Sequence, residues 1–377
     1  MKPFVAAALQ VGPVPGPVTP DSIRANVDAA LDLARRCVDA TGATLVVAPE
    51  TVTTGFAPAL GPAELWDRIA PVPGALTEDA QRAAAELGIH LVWPTYEAGP
   101  DRGTVYNAAA VIRPTGDIAG VYRKTHLFPA EQAWVTPGDD VLVVGTDLGR
   151  IGSVICFDGD FPELVRIEAG LGAEVVVRPS AFLRAADIWE LTTRARAYDN
   201  HVYVVAPNAV GVDAGGHVYF GNSLIVGPTG EVLARGTSQP GWVSATVGVD
   251  PMATISPGSS VRQGFDHLAE RNLAVYRRHR DVLESEAKAP FPILTDVDNG
   301  YALSLNLAIW VGAELERMIA QAGWDLPAYQ GNDAWMLPIP ATFVVGTDGR
   351  VKARFVDPDY RRRMAIEDML EALRSER

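Results

Sequence analysis

The sequence predicts an α/β protein, and two observations carry the prediction. Short apolar runs rich in β-branched residues alternate with longer segments of helical period. Polar residues able to do chemistry stand directly after such runs, as at Pro49-Glu50 and Ile155-Cys156.

The elements follow in order. Val5-Ala6-Ala7-Ala8-Leu9 reads as a first core strand, because it is too short for the apolar region of a signal peptide and only Lys2 precedes it as a basic residue. Asp21 precedes a segment whose apolar positions Ile23, Val27, Leu31, Ala34 and Val38 recur every three or four residues, an amphipathic helix closed by Gly42. Thr44-Leu45-Val46-Val47-Ala48 is the next strand and runs into Glu50. The pattern returns at Ile151 to Cys156, a strand ending in a thiol, followed by a helix over Pro162 to Gly170. Strands at Glu174 to Val177 and His201 to Ala206 flank a helix from Ile188 to Asn200, and both read as fully buried. Gly221 to Gly230 reads as strand and turn. Beyond Tyr276 a charged run, Arg277-Arg278-His279-Arg280, opens a linker that extends to Pro292. The expected domains are therefore 1–285 and 286–377. In the second, a helix is expected over Ala302 to Ala322, strands at Ala341 to Val345 and Val351 to Val356 about the turn Thr347-Asp348-Gly349, and a final helix over Ile366 to Leu373.

Composition narrows the function. Of 377 residues, 48% are hydrophobic and 21% charged, an ordinary balance for a globular enzyme. The net charge of -14 repels phosphate backbones and anionic lipid head groups, so neither nucleic acid nor a membrane is expected as a partner. No stretch approaches the roughly 18 apolar residues of a membrane span. Two cysteines, Cys37 and Cys156, make no disulfide framework, and a reducing, cytoplasmic compartment is expected.

Cys156 follows an apolar strand and precedes a helix, a place where backbone N–H groups and the helix dipole can favour thiolate and bind an oxyanion. The segment alone leaves open a buried, inert cysteine. Cys37, beside the apolar stripe of an early helix, reads as packing. The six histidines form no Cys/His pair and no spaced metal site, and His126 reads as a residue that ties down a loop. Lys124 stands out because 32 basic residues include only four lysines, Lys2, Lys124, Lys288 and Lys352, and an ammonium stabilises an oxyanion as a point charge. Glu50 and Glu131 each occupy a setting that can raise a carboxyl pKa toward proton transfer, although each taken alone reads more readily as a solvated loop residue.

Taken together these segments resemble the nitrilase superfamily of carbon-nitrogen hydrolases over roughly residues 4 to 280. The resemblance is carried by Pro49-Glu50 with Gly55-Phe56, Tyr122 to Phe128, Glu131 before Pro137-Gly138, and Cys156-Phe157-Asp158 with Phe161-Pro162-Glu163. Tyr106-Asn107, Pro114-Thr115-Gly116, Asn222-Ser223 and Gly227-Pro228-Thr229-Gly230 fit its spacing. It implies a four-layer α-β-β-α sandwich, paired into a homodimer or a larger homo-oligomer. It also implies a catalytic set in which Cys156 is the nucleophile, Glu50 the general base, Lys124 the oxyanion-stabilising cation and Glu131 a second carboxylate, with the N–H of Phe157 as a further donor. The chemistry implied is acyl transfer through a thioester without metal or cofactor, acting on a small-molecule amide. Phe157-Asp158 after the cysteine favours amides over nitriles, and Val177-Arg178 with Tyr219 to Ser223 looks closest to the aliphatic amidase and formamidase group. Trp134, Phe157 and Phe182 are expected as walls of the substrate pocket, with ordinary core aromatics as the other reading. An N-carbamoyl amide hydrolase, a nitrilase, and a non-catalytic binding protein on the same scaffold are the alternatives.

From about Phe291 the chain resembles the C-terminal part of thioredoxin-fold proteins of the AhpC/TSA type, through Asp325-Leu326-Pro327, Gly331-Asn332-Asp333 and Leu337 to Val345. Pro340 matches the proline that is cis in that fold. The segment holds no cysteine, so a redox-inactive partial thioredoxin-like extension is expected.

Overall fold

The computed structural model describes residues 1–248 and 267–278, together with the backbone of four short strands nearer the C-terminus. The chain forms two compact units, Met1–Ala274 and Val275–Arg377.

The first unit begins with β1 (Phe4–Gln10), α1 (Pro20–Thr41), β2 (Leu45–Val47), α2 (Pro62–Trp66), α3 (Ala75–Leu87), β3 (His90–Ala98), β4 (Val105–Ile112) and β5 (Ile118–Arg123). It continues with β6 (Val143–Thr146), β7 (Gly149–Ser153), α4 (Pro162–Gly170), β8 (Val175–Val177), α5 (Ala186–Asn200) and β9 (Tyr203–Ala206). A hairpin of β10 (Val210–Val212) and β11 (Val218–Phe220) precedes β12 (Leu224–Val226), β13 (Val232–Arg235) and β14 (Gly241–Val247). Helix α6 (Leu273–Arg278) takes in the first residues of the charged run at Arg277-Arg278.

Two six-stranded sheets result, ordered β14-β1-β2-β3-β4-β5 and β13-β12-β9-β8-β7-β6. Strands β1, β2 and β3 run parallel, as do β7, β8 and β9. Side chains of successive strand residues point to opposite faces, and this alternation builds the layers. Ala7, Val46 and Leu91 are in register across β1, β2 and β3 and pack outward against Val27, Leu31 and Ala34 of α1 and Ala80 and Ala84 of α3. Their neighbours Ala8, Val47 and Val92 point to the opposite face and join the core cluster that includes Ile151 and Val175, in register with each other on the second sheet. Leu164, Val165, Trp189 and Ala197 bring α4 and α5 onto that sheet's side of the same core. The four-layer α-β-β-α sandwich is the architecture expected.

Local chemistry adjusts several boundaries. Helix α1 is capped by Thr19 rather than Asp21: the Thr19 hydroxyl accepts from the Ser22 N–H (3.2 Å) while Ser22 Oγ accepts from the Thr19 N–H (2.8 Å). Its far end closes as expected at Gly42, whose φ of 68° is the left-handed conformation that glycine adopts without strain. Strand β7 stops at Ser153, so Cys156 lies on the turn beyond the strand and not at its last position.

In the second unit the hairpin of Ala341–Val345 with Val351–Val356 is present, antiparallel as expected. The helix expected over Ala302 to Ala322 is corrected at Ala308–Trp310, which is a strand paired antiparallel with Met336–Pro338. Ile309 and Trp310 favour extended backbone, and pairing with a distant partner overrides a local helical period. Pro340, the turn at Thr347-Asp348-Gly349 and the final helix over Ile366 to Leu373 lie outside the described residues.

One buried acid links fold to pH. Glu168 of α4 is fully buried, its Oε1 accepts the Ser153 N–H at 3.0 Å, and its Oε2 has no partner among the described residues. Burial pushes its carboxyl well above the ordinary value of 4.5, the charge of Asp158 adds to this, and the Ser153 N–H opposes it. A carboxyl whose folded pKa is raised contributes stability that is fully present below the unfolded value and lost as pH rises through the folded one. Glu168→Gln keeps the acceptor but cannot ionise. Its stability relative to the parent is expected to climb above pH 4.5 by up to about 1.4 kcal/mol per pH unit. Urea unfolding at a series of pH values measures this, and parallel profiles for the two proteins would refute it.

Candidate active site

Glu50, Lys124, Glu131 and Cys156 come together in the first unit, each delivered from beyond the end of a strand. Glu50 follows β2, Lys124 follows β5, Glu131 lies on the single 3-10 turn Pro129–Ala133, and Cys156 opens a similar turn after β7. Lys124 Nζ donates to Glu50 Oε1 and to Glu131 Oε2, both at 2.7 Å, with all three side chains shielded from solvent. Asn107 of β4 binds the carboxylates together: its Nδ2 donates to Glu50 Oε1 at 2.8 Å and to Glu131 Oε1 at 2.6 Å. The remaining oxygen of Glu50 accepts the Ala181 N–H at 2.7 Å, and Glu131 Oε2 also accepts the Phe128 N–H at 3.1 Å.

The electrostatics follow from this packing. Burial alone would push the Lys124 ammonium down, but the charges of Glu131 and Glu50, reinforced by the thiol side of the site, hold it well above its ordinary value of 10.5. Lys124 is therefore a fixed cation. Burial pushes the Glu131 carboxyl up and Glu50 adds to it, while Lys124 and the Asn107 amide pull it back. Burial also pushes the Cys156 thiol up, and the charge of Glu50 adds to this; Lys124 and Arg178 oppose it. The resting residue is thus a thiol. Burial is the largest influence on the sulfur, so the resting site does not favour a standing thiolate.

Cys156 has a φ of 48°, a left-handed conformation uncommon for a residue with a Cβ. Its N–H donates to the Pro179 carbonyl (2.9 Å), and its own carbonyl accepts from Arg178. The next N–H, that of Phe157, makes no hydrogen bond among the described residues. Asp158 then ties the cysteine turn to the lysine loop: it accepts from the Tyr122 hydroxyl (2.8 Å), the Ile155 N–H (2.9 Å) and the His126 N–H (2.9 Å). His126 joins the same anchor through Nδ1 (3.0 Å) and stacks on Phe161, so it ties down the loop as expected.

A small cavity opens on Cys156, lined by Phe56, Phe128, Phe157, Ala181, Phe182, Leu183 and Arg184. Phe157 and Phe182, both expected as pocket walls, line this cavity. Trp134 is not on the lining. It packs behind it, edge-on to Phe56 at 5.9 Å, with its indole N–H donating to the Tyr96 hydroxyl at 2.9 Å. The donor pattern decided this, because a buried indole N–H seeks an acceptor. Sequence reasoning missed Asn107 and Arg178 as site residues. Their signals were a lone polar side chain inside a buried strand and a charge directly after the Val175 to Val177 run. Nothing in the sequence marked Phe56, Phe128 or Arg184 as pocket residues. Among the described residues no cluster of three or more His, Cys, Asp or Glu side chains is arranged to hold a metal, and no helix is long and apolar enough to cross a membrane.

Residues 5–252 match the carbon-nitrogen hydrolase family. The chain belongs to that family. A probable nitrilase of Schizosaccharomyces pombe is 34% identical over 211 residues, covering 55% of this chain and 76% of that protein. An omega-amidase of Xenopus laevis is 34% identical over 233 residues, covering 59% and 83%. Among solved structures, an amidase from Nesterenkonia sp. superposes with a TM-score of 0.59 at 26% identity, covering 73% of this chain and 95% of that one. This carbon-nitrogen hydrolase accordingly acts on carbon-nitrogen bonds other than peptide bonds, and its relatives support amidase activity in general terms.

Removing the central cation tests the network. Lys124→Met leaves two carboxylates facing each other without their counter-charge, and the loss of stability expected is about 3–5 kcal/mol. Lys124→Arg should not restore it, because a planar fork cannot reproduce an ammonium set between Glu50 and Glu131. Denaturant midpoints for the three proteins decide; an unshifted Lys124→Met would show that the network is not coupled.

Proposed function

We propose that this carbon-nitrogen hydrolase converts a small carboxylic amide to acid and ammonia through a thioester on Cys156. One observation carries the reading: Lys124 Nζ is held at 2.7 Å by both Glu50 and Glu131, and the charges of Lys124 and Glu50 both act on the buried Cys156 thiol, so a base, a nucleophile and a cation would share one site.

The steps are written from that geometry. The Cys156 proton passes to Glu50 as the sulfur attacks the amide carbon. Lys124 has three N–H donors, of which two serve carboxylates, and the third is left for the oxyanion together with the free N–H of Phe157. The intermediate collapses, the carbon-nitrogen bond breaks, and the leaving nitrogen takes up the proton. Glu131, with its raised carboxyl, positions the amide nitrogen and shuttles that proton. Water then attacks the thioester, losing a proton to Glu50, and the acid departs as the thiol is restored. No step calls for a metal or cofactor. The small cavity is walled by Phe56, Phe128, Phe157 and Phe182, which suits a short apolar acyl group.

Ammonia release from a panel of short amides, N-carbamoyl compounds and nitriles tests this. Amides should be turned over, and Cys156→Ala and Glu50→Gln should each lower the rate by about 10²–10⁴-fold. Intact mass of the slowed Glu50→Gln protein should show the acyl group on Cys156. Release unaffected by Cys156→Ala would sink the mechanism, turnover of nitriles alone would move the assignment to a nitrilase, and silence across the panel would favour a binding protein.

A further inference from the structure

Arg178 takes no part in those steps, yet its side chain is buried directly beneath the nucleophile, at 1% exposure. Nε and Nη2 both donate to the carbonyl of Cys156, at 3.0 and 2.8 Å. Nη1 donates to the hydroxyls of Thr192 and Thr193 on α5, both at 2.9 Å. The guanidinium lies against the faces of Trp189 (4.9 Å) and Phe182 (5.8 Å). Gly159 leaves room for it, because a Cβ there would collide with the guanidinium. Every donor edge is thus committed, and the main commitment is to one carbonyl.

Two features make this more than packing. The carbonyl belongs to a residue at a φ of 48°, a conformation that a cysteine holds only if its surroundings impose it. And the cation is only partly compensated: its one carboxylate among the described residues, Asp160, accepts from Nη2 at a long 3.5 Å and shares its other oxygen with Arg184. A buried charge with so little compensation is costly unless another anion forms nearby.

We propose that Arg178 is a positioning residue with two effects on Cys156: it clamps the carbonyl so that the left-handed turn presents the sulfur, and its charge favours the thiolate formed when the proton moves to Glu50. In that step the S–H bond breaks, an O–H bond forms on Glu50, and one negative charge passes from carboxylate to sulfur. Three charged groups face the thiol: Glu50 from beyond β2, Lys124 from beyond β5 and Arg178 from beyond β8. Around the guanidinium stand Asp160 from the cysteine turn, Arg184 from the segment before α5, and Arg196 on α5. Burial draws Arg178 down to about 10, and the charges of Cys156 and Asp160 oppose this, so it stays protonated at neutral pH.

The inference rests on Cys156 as the nucleophile of the proposed reaction, but its test does not need the substrate. Iodoacetamide alkylation of Cys156 is followed by peptide mass against pH in the parent, Arg178→Met and Arg178→Lys, alongside kcat and KM on a turned-over amide. Arg178→Met should alkylate about tenfold more slowly at neutral pH, with its pH midpoint raised by about one. Arg178→Lys should recover most of the alkylation rate, since it returns the charge. Its kcat should stay about 10²-fold down with KM little changed, since an ammonium cannot clamp the carbonyl and reach both threonines. An Arg178→Met midpoint equal to the parent's, or an Arg178→Lys enzyme with full kcat, overturns the proposal. Should Arg178→Met fail to fold, Gly159→Ala displaces the guanidinium while keeping its charge, and an unchanged kcat there overturns the clamp. If alkylation shifts as expected but no amide is turned over by the parent, the amidase reading fails while the role of Arg178 stands.

Discussion

The site is organised around one ammonium enclosed by two carboxylates. Lys124, Glu50 and Glu131 are all withdrawn from water, a transfer that costs several kcal/mol per ion even after relaxation. Two contacts at 2.7 Å and the shared Asn107 amide return energy of the same order, on the order of 4 kcal/mol per close pair at an effective dielectric of ~20. Gain and cost nearly cancel. Such a network adds little to stability as a whole, although breaking it is expensive, so its retention is better explained by what the fixed charges can do. The sheets must then meet one demand. The chain beyond β2 and β5, and Asn107 within β4, must arrive at the same point, and a one-residue slip of β4 would turn Asn107 to the opposite face.

Asp158 extends that constraint to Cys156, the proposed nucleophile. Its carboxylate accepts from the Tyr122 hydroxyl and the His126 N–H on the lysine side, and from the Ile155 N–H on the cysteine side. The loop that carries Lys124 and the turn that carries Cys156 are thereby fastened to one buried anion. Arg178 fastens the same turn from below through the Cys156 carbonyl. Lys124 and Cys156 are therefore positioned without a direct bond between them, which is the preorganisation that the proposed stabilisation of an oxyanion requires.

The alternation of apolar runs located both sheets because their central strands are buried on both faces, and Val175-Val176-Val177 leaves no other reading. Boundaries were less legible where a hydroxyl competes for the helix start, as Thr19 does with Asp21. The meeting of Glu50 with Lys124 spans 74 positions in the chain, so no local pattern could reveal it, and each residue taken alone was readable as an ordinary one. Only the dispersed motifs of a family resemblance placed them together. Trp134 shows the limit of residue type as a guide: an aromatic beside a site lines the pocket or props its wall according to where its N–H finds an acceptor. At Ala308–Trp310 the helical period was real but outweighed by pairing with a strand nearly thirty positions on.

The buried thiol gives the proposed chemistry its particular form. A cysteine paired with histidine rests as an ion pair, because a neutral base that takes the proton becomes a cation beside the new anion. Glu50 already carries the negative charge, so proton transfer moves a charge within the cavity and does not create a second one. That suits a largely buried site, where separating new charges is costly. Burial and Glu50 together push the Cys156 thiol up, so the sulfur stays protonated until an acyl carbon is at hand to receive it. Lys124, close to both the carboxylate and the sulfur, favours the negative charge before and after the transfer. Its stabilisation is then available chiefly for the oxygen of the substrate, where charge builds up only as the carbon is attacked.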